Sequence, residues 1–131
     1  MTRQRHLSYD CAPGCSVEAA LSLIDGKWKG VILFHLLDGP MRFNEIRRKL
    51  AKVTQRMLTT QLRELEADGL VIRTVFAQVP PRVDYALSDR GQSLAPALLA
   101  LKQWGDAHMH LFAEQEHSDV ASTQLDPAST R

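Results

Sequence analysis

The chain has 131 residues, of which 44% are hydrophobic and 24% charged, with a formal net charge of +1. That length argues for a single domain with a core large enough to need no metal or disulfide staple. Two cysteines, Cys11 and Cys15, are too few and too close for a disulfide framework. No apolar run reaches the ~18–20 residues a membrane span needs, and the first ten residues lack a signal-peptide core, so a reducing cytoplasm is expected.

Residues 1–14 are polar, end in Pro13-Gly14 and read as an N-terminal arm. Ser16 is placed to cap a helix running to Ile24 that carries Val17, Ala20, Leu21 and Ile24 on one face; Asp25-Gly26 stops it. Lys27 to Leu37 is nearly all apolar and predicts the central buried helix. After the turn Asp38-Gly39-Pro40, a short helix is expected over Arg42–Leu50, with Phe43, Ile46 and Leu50 facing inward. Thr54 is an N-cap for the next helix, which reaches Asp68 and closes on Gly69 and Leu70.

Val71 to Gln78 is rich in β-branched residues, and Val83, Tyr85 and Leu87 alternate with small or polar neighbours. These runs flank Val79-Pro80-Pro81-Arg82 and predict a hairpin with a proline-stiffened tip. Ser88 opens a last helix to Phe112, with Leu94, Leu98, Leu101 and Trp104 on one stripe and a kink or restart at Pro96. Residues 15–113 are thus expected to form the folded domain and 114–131 a disordered tail. The fold class is mostly α with a small β-hairpin (α+β), in the order of a winged helix-turn-helix.

The charge is not spread evenly. From Arg42 to Arg63 there are seven basic residues, Arg42, Arg47, Arg48, Lys49, Lys52, Arg56 and Arg63, against Glu45 alone. A concentration of one sign suits a polyanion bound on one face, whereas a merely solvated surface interleaves both signs. On the helix beginning at Thr54, Leu58, Leu62 and Leu65 form a core stripe, while Gln55, Arg56, Thr59, Thr60 and Arg63 lie mainly opposite. Arginine pairs with guanine, glutamine with adenine, and threonine offers a hydroxyl and a methyl to base edges. Arg82 and Arg73 of the hairpin are placed for phosphates or a minor groove.

The segment from Cys15 to Gly105 resembles the HxlR family of winged helix-turn-helix regulators. The matching runs are Gly26-Lys27-Trp28, RFNEIRR from Arg42 to Arg48, LTTQLRELEADGLVIR from Leu58 to Arg73, PPRVDYALSDRG from Pro80 to Gly91, and Trp104-Gly105. The resemblance implies a homodimer built largely by the first and last helices; the apolar stripe Leu94, Leu98, Leu101 and Trp104, with no later element of the chain to cover it, is the expected interface. It also implies a recognition helix over Thr54–Asp68 on a palindromic duplex operator, and a transcription regulator, expected to act as a repressor, that answers oxidants or electrophiles. In many members a sensing cysteine precedes the first helix, where Cys15 stands; Ser16 replaces the proline that often follows it, and Cys11 is an additional thiol. A helix start favours a thiolate, the form that attacks oxidants, and Arg3, Arg5 and His6 are near in sequence, while Glu18 opposes. Cys11 can resolve an oxidised Cys15 within the chain or between chains.

Two other readings stay open. One is a regulator governed by a small ligand at an interface lined by Trp28, Phe34 and Trp104, with inert cysteines. The other is a winged helix serving only protein contacts. His108 and His110 are two apart and so face different sides of a helix, and His35 reads as a core or edge residue; no metal, cofactor or catalytic site is expected.

Overall fold

The computed structural model describes residues 13–129, with side chains described through Phe112. Cys11 and most of the 1–14 arm fall outside those residues. The chain divides into two compact units, the first ending at Ala95 and the second beginning at Pro96.

The first unit opens with α1 (Cys15–Ile24), whose N-cap is Gly14 in the left-handed region at φ 95°. Ser16 is therefore inside the helix and not its cap. No residue of α1 is buried, although Val17 and Leu21 are apolar. Helix α2 (Lys29–Leu36) is the buried centre, with Ile32, Leu33 and Leu36 inaccessible to solvent. It also buries Lys29, only 1% exposed, whose Nζ is ion-paired with Glu64 at 2.5 Å. The apolar run around it did not announce this charge, which survives burial because a carboxylate from another helix meets it.

Met41 and Arg42 form a short strand, β1, before α3 (Phe43–Lys49). The expected helix start at Arg42 thus moves one residue on, and Glu45 accepts a hydrogen bond from the Arg42 N–H at 2.8 Å. Helix α4 (Gln55–Ala67) begins as expected: Thr54 Oγ1 accepts from the Met57 N–H at 3.0 Å. It ends in a Schellman motif, in which the Leu70 N–H donates to the Leu65 carbonyl and the Gly69 N–H to that of Glu66, each at 3.0 Å. Gly69 takes φ 78° to close that turn, a conformation that favours glycine. Leu58, Leu62 and Leu65 are fully buried, each stabilising the fold by about 1.5–3 kcal/mol.

Strands β2 (Val71–Phe76) and β3 (Arg82–Leu87) form the expected hairpin. With β1 they make a three-stranded antiparallel sheet in the order β1-β3-β2, with Met41 opposite Tyr85 and Arg42 opposite Asp84. The fold is a winged helix-turn-helix, mostly α with this small sheet.

The last helical stretch is broken where the sequence suggested a restart. Ser88 Oγ accepts from the Gly91 N–H at 3.0 Å and caps α5 (Asp89–Gln92). Gly91 packs so closely on the Leu70 carbonyl that a Cβ there would overlap it. Helix α6 (Ala95–Ser129) then carries Pro96 in its first turn, where a missing N–H goes unneeded. Its backbone stays helical through most of the segment where a tail was expected; the stretch from Glu114 to Asp126 contains no glycine or proline to break it.

Candidate nucleic-acid interface

The exposed polar side of α4 continues from the basic end of α3. Arg47, Arg48 and Lys49 occupy the last turn of α3, and Lys52 lies in the connection before the Thr54 cap; all of these side chains are exposed. On α4, Gln55, Arg56, Thr60 and Arg63 are exposed and Thr59 is half-buried. The helix stands in this attitude because Ile46, Leu50, Val53, Leu58 and Leu62 are all in the core. The helix-turn-helix is thereby fixed from beneath and basic above.

The predicted reading residues divide into two sets. Gln55, Thr59 and Arg63 recur every four residues and line a groove of about 500 Å³ together with Phe43, Glu66, Arg73, Val83 and Tyr85. They form the flank of α4 that looks toward the sheet. Thr59 further donates its hydroxyl to the Gln55 carbonyl at 2.8 Å, so its methyl is the part free to meet a base. Arg56 and Thr60 lie outside this groove and are exposed.

On the wing, the hairpin was legible in the sequence but the pairing of its arginine was not. Arg82 is the first residue of β3, not a free loop arginine. Its Nε and Nη2 donate to the two Asp84 carboxylate oxygens at 3.0 and 2.9 Å, and its guanidinium lies 4.7 Å from the Phe76 ring centroid. The hydrogen bond from Arg82, then the charges of Arg82 and Arg42, hold the Asp84 carboxyl below the usual carboxylate range, while the Arg82 guanidinium is pushed up chiefly by the same bond. Arg42, Arg48, Arg82, Glu45 and Asp84 line a second groove of about 860 Å³ between the start of α3 and the hairpin tip. Period-two alternation signals a strand but says nothing of an i, i+2 ion pair along one of its faces.

Cys15 is half-buried as the first residue of α1. Trp28 and Phe34 are half-buried in the first unit, and Trp104 is exposed in the second. The expected interface stripe is split: Leu98 is buried, Leu94 half-buried, and Leu101 and Trp104 are 60% and 58% exposed. Leu99, Met109, Leu111 and Phe112 are exposed apolar residues of the same helix that the stripe left out. His108 stacks on Trp104 with ring centroids 4.2 Å apart.

Comparison with known proteins places these features in a family. The sequence model of the HxlR-like helix-turn-helix family matches residues 23–112. The HTH-type transcriptional regulator YdeP of Bacillus subtilis (strain 168) is 54% identical over 118 residues, spanning 90% of this chain and 92% of that protein. The redox regulator HypR in its oxidised form superposes with a TM-score of 0.69 at 55% identity, covering 71% of this chain and 96% of that one. Its reduced form gives 0.72 at 50% identity, covering 76% and 98%.

Proposed function

The chain belongs to the HxlR-like helix-turn-helix family and is a transcription regulator of that type, and on this premise we propose that it is a homodimeric repressor that reads a palindromic duplex operator and answers oxidants or electrophiles through Cys15. The observation that carries the DNA-binding part is the one-signed surface from Arg47 through Lys52 to Arg56 and Arg63, exposed above the buried Ile46, Leu50, Val53, Leu58 and Leu62. Such a surface attracts phosphates by charge and offers side chains to base edges within the same helix. In this reading Lys52, Arg47, Arg48, Arg42, Arg73 and Arg82 meet the backbone, the Thr54 cap aims the helix, and Gln55, Arg56, Thr59, Thr60 and Arg63 face the bases.

The dimer reading is supported by the exposed apolar residues Val17 and Leu21 on α1 and Leu101, Trp104 and Phe112 on α6. Several large apolar side chains left open on one helix mark a surface that a partner covers. A second copy sets two recognition helices at a fixed separation, so half-sites about one helical turn, ~10 bp, apart or a small multiple of that are expected.

The switch reading rests on Cys15 at the start of α1, the helix with no buried residue, and on the likeness to HypR, named a redox regulator. A modification there shifts α1 against the partner and changes the separation of the recognition helices.

Selection of duplexes from a random pool, followed by a salt titration of affinity, tests the DNA-binding part. A palindromic site and a steep decline with salt are expected; binding that ignores both sequence and salt would count against it and favour a protein-interaction module. For the thiol, Cys15→Ser should hold the operator under reducing and oxidising conditions alike, while the wild type releases it on oxidation. Cys11→Ser separates a resolving thiol from a bystander. An unchanged oxidant response in Cys15→Ser removes the sensor role and favours a ligand-governed regulator.

A further inference from the structure

A polyanion-binding face gains nothing from carboxylates, yet Glu45 and Asp84 both line the groove beside Arg42, Arg48 and Arg82. Each is engaged by this chain itself. Glu45 accepts from the Arg42 backbone N–H at the start of α3. Asp84 takes the bidentate bond from Arg82, two residues earlier and so on the same side of β3, and stands directly across from Arg42 on β1. Phe76 is the cross-strand partner of Arg82, and its ring supports the face of the guanidinium.

The hydrogen-bond inventory of Arg82 shows what this leaves over. A guanidinium has five N–H donors. Asp84 engages one on Nε and one on Nη2, so both on Nη1 and one on Nη2 remain for another acceptor. Among the partners, the carboxylate is the sheltered one, its side chain 14% exposed against 37% for Arg82. With one edge held by Asp84 and one face by Phe76, the guanidinium has little rotamer freedom left to lose on meeting a phosphate.

We infer that Asp84 is a positioning residue for DNA binding: it locks Arg82 against Phe76 so that the wing presents a preset pair of donors to a backbone phosphate beside Arg42 and Arg48. This rests on the DNA-binding reading above. Two effects of Asp84 oppose each other. Its charge repels phosphate over a range of about 8–10 Å. Its bidentate bond orders the arginine that the hairpin brings to this groove. The inference is that ordering outweighs repulsion, which fixes the sign of the experiment.

Affinity for the selected operator is measured across a salt series for wild type, Asp84→Asn, Arg82→Ala, Arg82→Lys and the Arg82→Ala/Asp84→Asn double variant, with urea melts to show that each is folded. Asp84→Asn should weaken binding on the order of tenfold, although it removes a negative charge, and should lower the salt slope by about 0.9, the share of one phosphate. Arg82→Lys keeps the charge but loses the fork and should weaken binding to a similar degree. On the Arg82→Ala background, Asp84→Asn should weaken binding no further. Tighter or unchanged binding by Asp84→Asn, wild-type binding by Arg82→Lys, or an equal loss from Asp84→Asn with and without Arg82 would each overturn the positioning role. A wild type that shows no salt-dependent duplex binding overturns the DNA-binding reading and this inference with it, whereas a wild type that binds alongside a tight Asp84→Asn overturns this inference alone.

Discussion

Two stretches carry leucines at the same spacing: Leu58, Leu62 and Leu65 in α4, and Leu94, just before α6, with Leu98 and Leu101 within it. In α4 all three are fully buried; of the second set only Leu98 is buried, while Leu101 stays open beside Trp104. An identical pattern therefore serves two ends. Apolar spacing names the face that seeks cover, and it does not name what provides the cover. Where the same chain provides it, as for α4, the residues hold the fold. Where it does not, as for Leu101 and Trp104, they stay open to solvent.

Substitutions can break that contrast. Leu62→Ala, in the covered stripe, should cost about 2–5 kcal/mol in urea unfolding, because it removes buried methyls and leaves a cavity. A loss below 1 kcal/mol would mean that the α4 stripe is less tightly covered than its burial indicates. Leu101→Asp should act on assembly instead: the variant should keep the wild-type far-ultraviolet dichroism and lose the dimer in sedimentation. Wild-type protein that sediments as a soluble monomer at micromolar concentration would refute the assembly role of the open stripe.

The smallest expected effect lies at His35 on α2. Burial, and then the Lys49 charge, lower its pKa from the ordinary 6.5, while Asp38 pulls the other way. Its proton is then bound more readily by the unfolded chain. The contribution to stability is whole above pH 6.5 and is lost as pH falls from there through the lower folded value. His35→Gln should show a smaller drop in urea midpoint between pH 7.5 and pH 5.5 than the wild type does. Parallel drops in the two proteins would assign the acid sensitivity to other groups.

Much of the scaffold was legible because it rests on local chemistry. The Thr54 cap, the Gly69-Leu70 closure and the hairpin about Pro80-Pro81 each announce themselves within a few residues. Strand β1 was missed because two residues show no period and Arg42 reads equally well as a helix start. Lys29 sat unnoticed in an apolar run because its partner, Glu64, comes from another helix. The basic face was legible as composition, since one-signed charge needs no geometry to be seen. How Gln55, Thr59 and Arg63 part from Arg56 and Thr60 was not, because that depends on where the sheet lies against α4. The Arg82–Asp84 bond was hidden for the same kind of reason: spacing puts the two on one side of a strand but does not say that they join.

The central claim is that the exposed polar side of α4 reads DNA sequence. Arg56 is its most direct probe, being exposed, outside the groove shared with the sheet, and in the first turn of the helix. The decisive measurement is the affinity of wild type and Arg56→Ala for the selected operator and for random duplex at one fixed salt concentration. Arg56→Ala should lose about 1–3 kcal/mol on the operator and much less on random DNA, so that the ratio of the two affinities collapses. An equal loss on both duplexes, or none on either, would contradict sequence reading by this face.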